Sequence, residues 1–322
     1  MDMQQIRSLN EKVAYGFCLV DFAGRLLYRR LFKKALKRNR VGNRKILTSC
    51  EVAEFYKERI ASGEPFMAGR IGSVELGVVD HEVRRIMGFE KELPDSAMDH
   101  FCNNAGFFPW DKKLTTPFLE QMIEAMEKVD LIASWQDREM FYLKHFCKQA
   151  KLCRLIDIEP PLGNADAWVQ CLKGKKVLVI HPFEKSIQSQ YARREKVFPG
   201  GFLPEFELKT IKAVQTQAGE KDERFAIWYD ALEYMKKQMR ETDFDVALIG
   251  CGAYGFLLAA YAKSLGKQAI HLGGALQLMF GIMGSRWEKK EYVNRVRNEY
   301  WVRPLPEEMP QKAATVENAC YW

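Results

Sequence analysis

The sequence predicts an α/β protein, a mainly parallel sheet with helices on both faces, preceded by a basic helical arm. Three observations predict it. Short apolar runs alternate with stretches of helical periodicity along most of the chain. Glycines stand where two of those runs give way to helices, as sharp turns require. Positive charge is concentrated in one N-terminal stretch. With 322 residues, 47% hydrophobic and 28% charged, the chain can bury a large core and is too apolar for wholesale disorder.

The arm comes first. From Arg25 to Lys45 ten residues are basic and none is acidic; taking them from the formal +7 leaves −3 for the rest. Leu26, Leu27, Leu31, Phe32, Ala35 and Leu36 recur there at helical spacing. Such a helix either packs its apolar stripe on the body, with its cations in water, or lies on an anionic bilayer surface. On a bilayer each Lys or Arg is worth ~1 kcal/mol. No motif that reads DNA or RNA accompanies the arm, so nucleic acid is not an expected partner. Residues 1–48 read as the arm, 49–303 as the α/β domain, and 304–322 as a polar tail that wraps the surface or frays.

Within the domain, Thr48 and Glu51 have capping-box spacing ahead of the apolar face Val52, Phe55, Tyr56 and Ile60. FMAGRI (66–71) reads as a buried strand, followed by a helix marked by Leu76, Val79, Val83, Ile86 and Met87. Thr116-Pro117 is a helix start. DLIASW (130–135), CRLIDI (153–158), KVLVIHPF (176–183), FDVALIG (244–250) and QAIHLGG (268–274) are the other strands. Helices fill 137–149, 185–197, 225–241 and 254–265. This alternation predicts a Rossmann-like sheet. No apolar run reaches the roughly 18 residues of a membrane span. The N-terminus lacks the layout of a secretory signal. Eight scattered cysteines form no CxxC pair, so the reduced cytoplasm is the expected compartment.

Ligands of such sheets bind beyond the carboxyl ends of the strands, so the strand-to-helix junctions carry the site candidates. In Gly69-Arg70-Ile71-Gly72-Ser73-Val74-Glu75, Gly72 permits the turn and Ser73 can cap the helix, whose N–H groups favour phosphate. Arg70 can add a bidentate phosphate contact. Glu75 either ligates a metal, acts as a base, or merely complements the helix dipole. In Gly250-Cys251-Gly252-Ala253-Tyr254-Gly255 the GxGxxG pattern follows a strand. The next strand ends His271-Leu272-Gly273-Gly274, without the acid that holds a ribose, which argues against NAD. A phosphate or sugar cradle and tight helix–strand packing both remain. His181-Pro182-Phe183 ends a third strand, followed by Arg194; His181 is either catalytic or a hydrogen-bonded structural residue. The loop from Asn103, Asn104 and Gly106 to Trp110 offers amides and aromatics for a base or sugar, or for the core.

The GRIGSVEL element resembles the RxGDGE-type motif of the GT-D glycosyltransferases. HPFEKSIQSQYARREKVF and IGCGAYGFLLAAYAKSLGKQAIHLGGALQLMFGI resemble segments of proteins encoded among bacterial surface-polysaccharide genes. The resemblance spans roughly residues 50–290. It implies a transferase that moves a sugar from a nucleotide sugar, with UDP-sugars favoured, to a growing surface glycan, lipid-linked at the inner membrane face. In that family an Asp-x-Glu motif engages a divalent metal (Mn or Mg) and the donor's diphosphate. By position Glu75 matches the Glu, and Ser73 stands where the Asp would be. A neutral Ser is a far poorer ligand for a hard cation. The resemblance implies Glu75 as a catalytic candidate, and the strand-end reading adds His181. With the junctions and the loop read above, Arg70, Gly72, Ser73, Asn103, Asn104, Gly106, Arg194, Gly250, Gly252, Tyr254, Gly255 and Gly274 are the donor-binding candidates. Two competing expectations are a non-catalytic nucleotide-sugar-binding accessory protein, which Ser73 favours, and an S-adenosylmethionine-dependent methyltransferase.

Overall fold

The computed structural model describes residues 6–34, 36, 38–164, 167–316 and 318–322. Ala35 and Lys37 of the predicted arm lie outside the described residues. Helix α1 (Leu9–Phe32) starts at Ser8, whose hydroxyl accepts from the Glu11 N–H, and ends at Lys33 in a left-handed conformation (φ 51°). The arm is thus only partly helical. Its second half forms a hairpin, β1 (Arg40–Val41) against β2 (Arg44–Lys45), antiparallel. The body follows as α2 (Ser49–Ser62), β3 (Phe66–Gly69), α3 (Ser73–Met87), α4 (Asp95–Ala105), α5 (Thr115–Lys128), β4 (Leu131–Ala133), α6 (Met140–His145) and β5 (Lys151–Cys153). Then come β6 (Lys176–His181), α7 (Glu184–Ala192), β7 (Glu207–Lys212), α8 (Trp228–Glu241), β8 (Val246–Ile249), α9 (Tyr254–Ser264) and β9 (Gln268–His271).

Seven strands form one parallel sheet in the order β5-β4-β3-β9-β8-β6-β7. Side-chain alternation explains the apolar runs. In β6, Leu178 and Ile180 join the core under α3, α5, α8 and α9, while Val177 and Val179 join the core on the other face. Each such buried side chain stabilises the fold by ~1.5–3 kcal/mol. The expected capping box of α2 is present: the Glu51 N–H donates to Thr48 Oγ1 (3.3 Å), and the Thr48 N–H donates to Glu51 (2.9 Å).

Three expectations change. Of the predicted strand 153–158 only Cys153 pairs, at the end of β5, because Asp157 accepts from the Arg154 backbone (3.2 Å) and closes a helical turn over 155–158. Strand β7 (ELKTIK) escaped the sequence reading, since a polar edge strand lacks an apolar run. The tail, beyond wrapping the surface, is anchored. Buried Glu308 accepts from the backbone N–H groups of Lys185 (2.8 Å) and Ser186 (3.2 Å) at the start of α7.

The arm spends much of its charge internally. Arg38 is buried against Glu139 (3.0 Å), and Arg44 donates to the carbonyls of Ala150 (2.8 Å) and Cys147 (2.5 Å). Arg25 pairs with Asp21 (2.9 Å), Arg29 with Asp137 (3.4 Å) and Lys45 with Glu51 (2.5 Å). Helix α1 docks through Tyr15, whose hydroxyl donates to Asp80 (2.8 Å) and accepts from Arg84 (2.7 Å). Leu26, Leu27, Leu31 and Phe32 of the predicted stripe face outward, and the exposed apolar face extends back to Leu9, Val13, Phe17 and Val20.

Candidate functional site

The carboxyl ends of β3, β6, β8 and β9 open into one cavity of about 630 Å³, where all three predicted junctions meet. At the first, Gly72 rather than Ser73 is the N-cap of α3 (φ −66°, ψ 151°). The Glu75 carboxylate folds back over it: a Cβ on Gly72 would lie 1.9 Å from Glu75 Oε2. Glu75 thus sits at the positive end of the helix and lines the cavity at once. Arg70 lies between the Trp135 ring, 5.8 Å away, and Gly273, whose Cβ would lie 2.2 Å from Arg70 Nη2.

The second junction is packed from glycines. A Cβ on Gly250 would come within 2.5 Å of the Gly273 carbonyl oxygen, and one on Gly255 within 2.2 Å of the His271 ring. Gly252 takes φ +56°, a conformation that favours glycine. Gly250 and Gly252 line the cavity, whereas Gly255 serves helix–strand packing. Tyr254 lines the cavity and stacks on Trp228 at 4.4 Å.

At the third, His181 Nδ1 accepts the Phe183 N–H (3.0 Å), which places the proton on Nε2. Burial holds its pKa down to about 3. His181 is therefore a neutral hydrogen-bond donor, not the proton acceptor that an acid–base role calls for. His271 is its complement. Nδ1 donates to the Ile249 carbonyl (3.3 Å), leaving Nε2 as an acceptor, and burial, then nearby Arg70, hold its pKa at about 3.

Other candidates are dispersed. Asn104 lines the cavity, but Asn103 binds the Thr315 carbonyl (3.0 Å). Gly106 (φ +75°) ends α4 and packs on Thr216, so the predicted loop is a helix end. Phe107 stacks in the core on Phe101 at 4.4 Å, and exposed Trp110 binds Asp99 (2.7 Å); neither lines the cavity. Arg194 sits over Tyr191 (5.2 Å), within 3.7 Å of Glu205, and is also outside the lining. Gly274 is in the wall, covered by Tyr321.

Several wall residues were not among the predicted site residues: Trp135, Glu159, His271, Arg286, Lys290 and Tyr321. Trp135 and His271 end strand runs just as His181 does, and that position was their signal. Glu159 precedes Pro160-Pro161 after β5, a weaker one. Glu159 accepts from Tyr292 (3.1 Å); burial raises its pKa, against the pull of Tyr292 and of Arg70, Lys290 and Arg286 nearby. The loop carrying Trp135 is pinned: Trp135 Nε1 (3.2 Å) and Gln136 Nε2 (2.9 Å) both donate to the Ile71 carbonyl. Arg38 in turn holds the Gln136 carbonyl (3.1 Å) and Glu139.

The side chains do not fit the divalent metal that the motif implies. A hard cation takes several oxygen ligands. The motif supplies a Ser73 hydroxyl and one carboxylate folded onto Gly72, and among the described residues no group of three His, Cys, Asp or Glu could hold a metal.

Comparison with known proteins agrees with the architecture. The family model for a GT-D fold-like domain matches residues 47–279. Two solved structures are similar at 14% identity. One is the selenomethionine-substituted structure of domain of unknown function 1792 (74% of this chain, 80% of that chain, TM-score 0.41). The other is described as "The highly conserved domain of unknown function 1792 has a distinct glycosyltransferase fold" (84% of this chain, 94% of that chain, TM-score 0.43). No curated protein matches the chain. The family match covers most of the sequence, and the chain belongs to the GT-D-like family of glycosyltransferase-like proteins.

Proposed function

We propose that the protein is a glycosyltransferase that moves a sugar from a nucleotide sugar, with UDP-sugars the favoured class, to a growing bacterial surface glycan. The observation that supports this most is convergence: four strand ends share one cavity with two carboxyl groups, Glu75 and Glu159, and the cations Arg70, Arg286 and Lys290. In the transfer the bond between the anomeric carbon and the phosphate oxygen breaks. Positive charge develops on the carbon and negative charge on the departing diphosphate, while the acceptor hydroxyl loses its proton as its oxygen bonds the carbon. Cations and the N–H groups at the start of α3 stabilise the departing charge. A carboxylate takes the proton. Burial raises the Glu159 pKa, which suits that carboxylate to accept the proton. His181 supplies a hydrogen bond. Turnover of a nucleotide-sugar panel by Glu75→Gln and Glu159→Gln tests this; the variant lacking the proton acceptor loses about 10²–10⁴-fold. Unchanged turnover in both removes carboxylate base catalysis.

The second reading is a nucleotide-sugar-binding accessory protein without turnover, and Ser73 in place of the family's Asp favours it. Donor binding with no transfer to any acceptor would establish it. S-adenosylmethionine is the control ligand for the methyltransferase alternative.

The proposed location is the cytoplasmic face of an anionic membrane. Among the described residues no helix is long and apolar enough to cross one. On α1, Leu9, Val13, Phe17, Val20, Leu27 and Leu31 are each more than half exposed, and exposed Arg30, Lys33 and Lys34 lie at that helix's end. This face suits acyl chains, with the cations at anionic headgroups. Deleting the arm would also remove Tyr15 and Arg38, so Phe17→Ser/Leu27→Ser is the cleaner variant. It should no longer sediment with anionic vesicles; retained sedimentation refutes the surface.

A further inference from the structure

Two adjacent glycines after β9 hold two arginines of the cavity in place. Gly273 (φ +62°) lies under Arg70, and its Cβ would fall 2.2 Å from Nη2 and 2.8 Å from Cζ. Gly274 lies under the Tyr321 ring, and its Cβ would fall 2.2 Å from Cε1. Tyr321 in turn holds Arg286, whose guanidinium stands 4.7 Å from the ring centre and donates to the Tyr321 hydroxyl (3.1 Å). Any side chain on either glycine would displace one guanidinium or the ring that orients the other. Lys290 completes the set on the same wall. All three cations act electrostatically on Glu159, which places their charge in one region of the cavity. The carboxylates available for a metal are few and committed, as shown above, while guanidinium forks match phosphate oxygens directly.

Building on the nucleotide-sugar reading, we propose that the Gly273-Gly274 turn seats a metal-free clamp, Arg70 and Arg286 with Lys290, for the diphosphate of a nucleoside diphosphate. The clamp does what the family's metal would do at the leaving group. Glu159 sits within it as an opposing charge, so it lowers affinity for the diphosphate and is relieved when a proton reaches it. Tyr321 is a positioning residue: it acts through Arg286.

Calorimetry separates the possibilities, with UDP and uridine as probes, titrated in EDTA and again with manganese. In EDTA, UDP should bind, and manganese should leave its affinity within about twofold. Arg286→Ala and Lys290→Ala, both at exposed positions where folding is not at stake, should each weaken UDP about tenfold or more and leave uridine unaffected. Tyr321→Leu should weaken UDP less than Arg286→Ala and have no effect in the Arg286→Ala background. Glu159→Gln should tighten UDP binding, whereas a metal held by Glu159 would make the same change weaken it. A strict manganese requirement, or unchanged UDP affinity in Arg286→Ala and Lys290→Ala, overturns the clamp and leaves the nucleotide-sugar reading standing. Failure of UDP, GDP, ADP and CDP to bind wild-type protein under either condition overturns that reading itself.

Discussion

The two sides of the cavity are built on opposite electrostatic plans. On the side of β6, β8 and β9 the groups are neutral and close-packed. His181 and His271 are both held near a pKa of 3 by burial, and Gly250 and Gly255 leave no room for a methyl group. On the side of β3, β4 and the 286–292 segment, the wall carries the ionisable side chains of Arg70, Glu75, Glu159, Arg286 and Lys290. Depth decides the difference. The two histidines, drawn fully under the sheet's carboxyl edge, lose their charge to desolvation. On the proposed reading, the neutral side offers shape and hydrogen bonds to a ligand, and the charged side handles leaving charge and protons.

The largest test of the contrast strikes the support of the charged side. Arg38→Ala leaves Glu139 buried without its cation, and a broken buried pair costs about 3–5 kcal/mol. Burial, outweighing Ser134 and Arg38, already raises the Glu139 pKa to about 7 from its ordinary 4.5. The folded protein thus holds that proton to higher pH than the unfolded chain. Wild-type stability should fall as pH rises from about 4.5 to about 7, and Glu139→Gln should flatten that slope. The cost of Arg38→Ala should be larger at pH 8 than at pH 5, where the carboxyl is neutral; denaturant unfolding at both pH values measures it. An equal cost at both would mean the carboxyl does not titrate in that window.

A smaller effect is expected on the neutral side. Gly250→Ala drives a methyl against the Gly273 carbonyl, a backbone atom that cannot swing away, and overpacking of this kind costs about 1–3 kcal/mol. Thermal unfolding should show it, and an unchanged midpoint would mean the turn is more compliant than its geometry shows. The smallest expected effect is an absence. With both histidines neutral, the pH–rate profile should carry no limb near the ordinary imidazole value of about 6.5 that His181→Asn or His271→Asn removes.

The same contrast explains what the sequence made legible. Strands buried on both faces announce themselves as apolar runs, and strand ends announce the junctions, so β3, β6, β8 and β9 and the residues Arg70, Glu75, His181 and Gly250 could be named in advance. The charged wall was harder to read because it is assembled from distant segments. Arg286 and Lys290 sit in a stretch with no strand signal. Tyr321 belongs to a tail whose composition reads as solvent-facing. The arm misled for a related reason: composition counts charges but not partners, and Arg38 and Arg44 spend theirs on Glu139 and on backbone carbonyls. Arg194 looked phosphate-facing by its position after a strand, yet it opens a short helix beyond the end of α7 and sits over Tyr191.

The most direct measurement is a crystal structure of the protein grown with UDP and manganese. The diphosphate should lie between Arg70 and Arg286 over the Gly273-Gly274 turn, with the nucleoside along the neutral wall and no manganese bridging its phosphates. UDP bound outside this cavity would contradict the assignment of the site, and a manganese ion held by Glu75 against the phosphates would contradict the clamp.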